Sequence, residues 1–197
     1  TLSSTSWYGS CTTTRASASL TKTTIHEVTD VDAKICKFYE AGNLKNAMKL
    51  LSVSQKSELE TNTYCSVLQL CAELKSLEDG RKVHSMICSN GLVVDGVLGS
   101  KLVFMYVKCG DLREGRRVFD KVANEKVFLW NLMINEYSKI DDFGESICLF
   151  MKMQELGIEV NSHTFSSVLK CFAALGNIEG GQQVHGYLLR LGFGCYN

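Results

Sequence analysis

From Val28 onward the amino-acid sequence repeats itself, and that repeat limits the possible folds more than any other feature. Tyr64-Cys-Ser-Val-Leu-Gln-Leu-Cys-Ala72 matches Phe165-Ser-Ser-Val-Leu-Lys-Cys-Phe-Ala173. Leu77-Glu-Asp-Gly-Arg-Lys-Val-His84 matches Ile178-Glu-Gly-Gly-Gln-Gln-Val-His185 at the same offset. A shorter offset relates Tyr106, Val118 and Phe119 to Tyr137, Leu149 and Phe150. Five units follow: 28–60, 61–95, 96–126, 127–161 and 162–196. Within each unit, position 17 is bulky and apolar (Leu44, Leu77, Leu112, Phe143, Ile178). Position 20 is small (Ala47, Gly80, Gly115, Ser146, Gly181) and position 23 aliphatic (Leu50, Val83, Val118, Leu149, Val184). Spacings of three and four mark one face of a helix. Positions 8 (Ile35, Leu68, Val103, Ile134, Leu169) and 11 (Phe38, Cys71, Tyr106, Tyr137, Phe172) mark a second, earlier helix. Position 15 is a turn residue in Gly42, Gly110, Asp141 and Gly176, with Lys75 the exception. Gly91, Gly157 and Gly192 suit the left-handed residue that closes a helix. One helix pair cannot bury its apolar face, but stacked pairs can. The expected fold is all-α, an α–α superhelix of helix-turn-helix units.

The composition agrees. There is no proline in 197 residues, which suits helices joined by short turns. No run approaches the ~20 apolar residues of a membrane span. The 21 basic and 21 acidic side chains give a formal net charge of +0, so charge gives no global sign of nucleic-acid binding, although a neutral protein can carry a basic groove. The nine cysteines form no CxxC pair. They read as small buried apolar residues rather than a zinc site or a disulfide framework. Thr1 to Thr24 holds fourteen Ser or Thr, no acid, and only Arg15 and Lys22 as bases. Such a stretch cannot fold alone. Residues 1–27 are therefore expected to be a disordered segment with the look of an organelle transit peptide, more plastid than mitochondrial.

Period, turns and residue types resemble the pentatricopeptide repeat family of organellar RNA-binding proteins. The best-matching unit runs from Val127-Phe-Leu-Trp-Asn-Leu-Met-Ile134 through Gly157-Ile-Glu-Val-Asn161, although Val160 stands where the family often has proline. Long and short units alternate as in the plant PLS subclass: P (28–60), L (61–95), S (96–126), P (127–161), L (162–196). Val83-His84, Val184-His185 and Met105-Tyr-Val-Lys-Cys-Gly110 are similar to L and S units. The resemblance implies a right-handed solenoid that binds single-stranded RNA, one base per unit.

It also implies site residues. Position 5 and the last residue of a unit read the base edge: Asn131 with Asn161, a pyrimidine-type pair, and the less familiar Ser100 with Lys126. Position 2 residues Phe128 and His163 would stack on bases. Lys108 and Lys139 would lie near phosphates. Asp32 with Glu60 is doubly acidic, and Cys65 with Asp95 and Ser166 with Tyr196 follow the family code poorly. Each signal has a structural reading too. Asn161 suits a helix cap, Trp130 the core, and His84 and His185 packing. No P-loop, nucleophile elbow, dinucleotide-binding glycines or zinc signature appears. The resemblance implies no metal, cofactor, membrane or small-molecule substrate, and no catalysis by these units. Longer PLS proteins often end in a deaminase-like zinc domain, and the chain is expected to be part of a longer protein. The implied function is sequence-selective RNA recognition in C-to-U editing, in the chloroplast or alternatively the mitochondrion, with a plastid or mitochondrial transcript and other editing factors as partners. The alternative is a helical-repeat scaffold for protein–protein interaction.

Overall fold

The computed structural model describes residues 22–53, 59–94, 96–122 and 126–190, with the backbone alone for 22–30. These residues form ten α-helices: α1 Lys22–Glu40, α2 Leu44–Val53, α3 Thr61–Glu73, α4 Leu77–Ser89, α5 Gly96–Lys108, α6 Leu112–Val122, α7 Val127–Lys139, α8 Phe143–Glu155, α9 Ser162–Ala174 and α10 Ile178–Arg190. The second helix of every pair begins at the bulky apolar residue of position 17. α3, α5, α7 and α9 begin at Thr61, Gly96, Val127 and Ser162, which open the second to fifth sequence units. α1 starts earlier, at Lys22, within the stretch expected to be disordered. No glycine or proline lies between Lys22 and Glu40, so an existing helix extends backward at little cost. The rest of the Ser/Thr-rich stretch, 1–21, lies outside the described residues.

The bend within each pair is set by two residues. Position 15 is left-handed in all five pairs: Gly42 (φ 64°), Lys75 (53°), Gly110 (85°), Asp141 (61°) and Gly176 (63°). Lys75, the exception in sequence, adopts the same conformation. The N–H of position 16 then donates to the carbonyl of position 11: Asn43 to Phe38 (2.8 Å), Ser76 to Cys71 (2.9 Å), Asp111 to Tyr106 (2.9 Å), Asp142 to Tyr137 (3.0 Å) and Asn177 to Phe172 (3.0 Å). This bond satisfies a carbonyl that the helix end leaves unpaired. In four pairs the position 16 side chain also caps the next helix. Asn43 accepts from Asn46 N, Asp111 from Glu114 N, Asp142 from Glu145 N and Asn177 from Gly180 N.

The pairs stack in two layers. Successive first helices pack directly on each other, α1 on α3, α3 on α5, α5 on α7 and α7 on α9. The second helices pack on the first helices of their own and the following pair. First helices therefore touch one another along the array, whereas second helices are joined mainly through them, so the first helices form one continuous layer. Position 24 of one pair meets position 4 of the next along the seam. Phe119 meets Trp130 edge-on at 4.9 Å between ring centroids, and Phe150 meets Phe165 at 6.2 Å. Helices touch at position 20 in the second and fourth pairs. The Ser146 hydroxyl donates to the Ile134 carbonyl at 2.9 Å, and a Cβ on Gly80 would lie 2.3 Å from Met105 Sδ. Position 8 is fully buried in Ile35, Leu68, Val103 and Ile134. Ion pairs tie the outer helices together, Arg81 to Asp111 at 2.6 Å and Arg116 to Glu145 at 2.8 Å.

Candidate functional site

Glu60, Lys126 and Asn161, each the last residue of a sequence unit, are also the N-caps of α3, α7 and α9, and this brings distant positions together. Asn161 precedes α9 with extended backbone (φ −121°, ψ 177°). Its Oδ1 accepts from the N–H groups of His163 and Thr164, both at 3.1 Å. The Thr164 hydroxyl accepts from the Asn161 N–H at 3.2 Å, completing a capping box. Asn131 lies one turn into α7, the preceding first helix. Its Nδ2 donates to Asn161 Oδ1 at 3.2 Å, and its Oδ1 accepts from the Thr164 hydroxyl at 2.5 Å. The two amides thus sit side by side at the α7–α9 junction, both half-buried.

Ser100 and Lys126 meet in the same way at the α5–α7 junction. Lys126 Nζ donates to Ser100 Oγ at 3.1 Å and to the Gly96 carbonyl at 2.5 Å. The Ser100 hydroxyl is spent on the Gly96 carbonyl. This pair is occupied by its own helix end. At the first junction the Thr63 hydroxyl donates to Asp32 Oδ1, while Asp32 Oδ2 is buried with no hydrogen-bond partner. Asp95 and Tyr196, the partners expected for Cys65 and Ser166, lie outside the described residues.

Phe128 and His163 are exposed at position 2 of α7 and α9. Phe128 keeps 58% of its surface in solvent, the one aromatic among the large apolar side chains most exposed in the described residues. It leans on Phe104 of α5, with 6.2 Å between ring centroids. Lys108 Nζ lies 5.5 Å from the centre of the same Phe104 ring, within cation–π range. Lys108, Phe104 and Phe128 form one continuous strip across two first helices. Lys139 differs from Lys108: it pairs with Glu136 of its own helix at 2.7 Å, so part of its charge is already balanced.

Residues 125–174 match the PPR repeat family. The chain is 52% identical over 170 residues to the "Pentatricopeptide repeat-containing protein DOT4, chloroplastic" of Arabidopsis thaliana, covering 86% of this chain and 20% of that protein. The chain belongs to the pentatricopeptide repeat family. Its fold matches PPR10 from maize with a TM-score of 0.69 at 15% identity, covering 85% of this chain and 27% of that one. It matches the PPR domain of Arabidopsis thaliana protein-only RNase P 1, solved with tRNA, with a TM-score of 0.71 at 12% identity, covering 83% and 89%. The chain therefore spans about a fifth of the length of the curated relative.

Two contributors to this pentatricopeptide-repeat surface escape the sequence reading. Phe104 sits at position 9, which is not aromatic in the other units, so no periodicity singles it out. Thr164 sits at position 3 and reads as an ordinary first-turn threonine. The hydrophilic spacing Thr63, Thr164 against Leu98, Leu129 was the available signal. Among the described residues no group of three or more His, Cys, Asp or Glu could hold a metal ion, and no helix is long and apolar enough to cross a membrane. His84 is a packing histidine, its Nδ1 2.8 Å from the Tyr106 hydroxyl.

Proposed function

We propose that the first-helix face of this chain binds single-stranded RNA one base per unit, with Asn131 and Asn161 as the base-reading pair of unit 127–161. The observation that supports this most is the side-by-side placement of the two amides, 30 residues apart in sequence. Asn161 Oδ1 is consumed by the cap, which leaves its Nδ2 hydrogens as donors. Asn131 keeps one N–H and one lone pair. Together they offer a mixed donor and acceptor edge of the kind a base presents. Phe128 and His163 are exposed planar groups on either side in sequence, suited to stacking, and Lys108 adds charge beside them for the phosphate backbone. Lys139, half-balanced by Glu136, contributes less. Ser100 and Lys126 form a weaker reading pair, because their mutual bond must open first. Among structural relatives, PPR10 is solved in complex with an 18-nt psaJ RNA element and the RNase P repeat domain with tRNA.

In the finer reading, the five units 28–60, 61–95, 96–126, 127–161 and 162–196 are the P, L, S, P and L units of a PLS-type protein. They supply recognition, without chemistry, for organellar RNA processing such as C-to-U editing, together with other editing factors. The acid-poor stretch before Val28 serves as the organelle address, and the chloroplastic name of the Arabidopsis relative favours a plastid. Titration of the chain with single-stranded RNA, double-stranded RNA and single-stranded DNA tests the reading. Single-stranded RNA should bind best, with affinity falling as salt rises, and Asn131→Ala with Asn161→Ala should weaken it. A folded chain that binds none of them would point to a protein-binding scaffold instead.

A further inference from the structure

We propose that Thr164 is a positioning residue for base reading: its buried hydroxyl, acting with the Asn161 cap oxygen, holds the Asn131 amide in one orientation. The inference rests on the base-reading role proposed above for unit 127–161. The orientation is imposed in three steps. The backbone N–H groups of His163 and Thr164 can only donate, so the atom of Asn161 facing them at 3.1 Å must be oxygen. A second oxygen facing it would be repelled, so the Asn131 atom 3.2 Å away is nitrogen. The remaining Asn131 atom is oxygen, and Thr164 donates to it at 2.5 Å. The Thr164 hydroxyl has one proton to give. Its other contact, Asn161 Oδ1 at 3.2 Å, is longer and already receives three donors. A flipped Asn131 would set oxygen against oxygen across from Asn161. Thr164 is fully buried, so water cannot take over the bond.

The same device recurs once. Thr63, at the same position of its unit, donates to Asp32 Oδ1, at the same position of the preceding unit. At the other two junctions the corresponding residues are Leu98 and Leu129, both fully buried. There the preceding position 5 residues are Cys65 and Ser100, and Ser100 spends its proton on its own helix. A hydroxyl stands only where the preceding unit offers a planar oxygen to be held.

The test uses the full chain and single-stranded RNAs in which one U, C, A or G is moved through an otherwise constant sequence. Wild type should distinguish pyrimidine from purine at one register. Thr164→Val should reduce that discrimination by about fivefold, the worth of one hydrogen bond, and Thr164→Ser should restore it. Thr63→Val removes the matching hydroxyl elsewhere, so it should lower Tm without changing discrimination at that register. If Asn131→Ala abolishes discrimination and a folded Thr164→Val retains it in full, the inference is overturned while the reading stands. If Asn131→Ala changes nothing, both are overturned. Should Thr164→Val fail to fold, hydroxyl-proton exchange in wild type decides. The Thr164 hydroxyl proton, bonded to Asn131 Oδ1, should exchange with water more slowly than that of exposed Ser162, and equal rates would overturn the proposal.

Discussion

Asn161 is committed at its oxygen and open at its nitrogen, and that division lets a single residue end one unit, cap the next and, in the proposed reading, still face a base. Position 5 alone could not do this, because Asn131 has its own oxygen and one N–H engaged. His84 shows a different outcome for a polar residue that recurs in sequence. Its ring is half-buried, bonded to Tyr106, and packed edge-on at 5.6 Å. Burial lowers its pKa from the ordinary 6.5, opposed by Glu114 and reinforced by Lys121 and Arg117. Burial, chiefly, also pushes the Tyr106 hydroxyl up to about 12. The folded state therefore favours a neutral His84. The stability this gives is complete above the ordinary histidine value and is lost as pH falls below it, through the depressed folded value. Thermal unfolding of wild type and His84→Gln between about pH 5 and 8 checks this. Wild type should lose Tm more steeply toward the acid end, and parallel curves would contradict the assignment.

At the scale of the element, the turn between paired helices asks for a left-handed residue whatever the sequence offers. Lys75 adopts φ 53° although its Cβ disfavours it. Lys75→Gly should stabilise the chain by about 0.5–1 kcal/mol, the relief of that strain less the entropy a glycine loses. A fall in Tm would show that Lys75 contributes something the backbone does not reveal. Small residues inside helices divide by the space around them. A Cβ on Gly99 would lie 2.4 Å from Val122 Cγ1, whereas one on Gly181 would make an ordinary 3.8 Å contact with Phe172. Gly99→Ala should cost ~1 kcal/mol or more, because overpacking outweighs the gain in helix preference. Gly181→Ala should gain up to ~1 kcal/mol. Opposite signs of the Tm shift are the expected outcome, and equal signs would contradict the packing account. The period of position 17 was legible because Leu44, Leu77, Leu112 and Phe143 turn at least partly inward at the start of their helices, although Ile178 of α10 stands 74% exposed. The caps at position 16, Asn43, Asp111, Asp142 and Asn177, share no apolar pattern, so periodicity passes over them. Their common chemistry, a short side-chain oxygen before each second helix, was the signal available.

At the scale of the whole molecule, every strong contact links a unit to itself or to its neighbour, so the array behaves as a one-dimensional stack. Its architecture is therefore legible in a repeat: whatever one pair buries, the next must bury at the same position. The site is less legible. The residues of the Asn131–Asn161–Thr164 network and of the Lys108–Phe104–Phe128 strip come from different units. Which of them meet depends on the stacking of first helices, which no single unit encodes. Lys126 illustrates the difference. Its place at the end of a unit is visible in sequence, but its bonds to Gly96 and Ser100 exist only once α5 and α7 are stacked. The account makes the first helices the ligand face and gives the second helices a structural role, through ion pairs such as Arg116 with Glu145. Amide chemical shifts of the isotopically labelled chain, followed as single-stranded RNA is added, test that division most directly. Shifts should concentrate at Phe128, Asn131, Asn161, His163, Phe104 and Lys108. Shifts confined to α4, α6, α8 and α10, or none at saturating RNA, would contradict it.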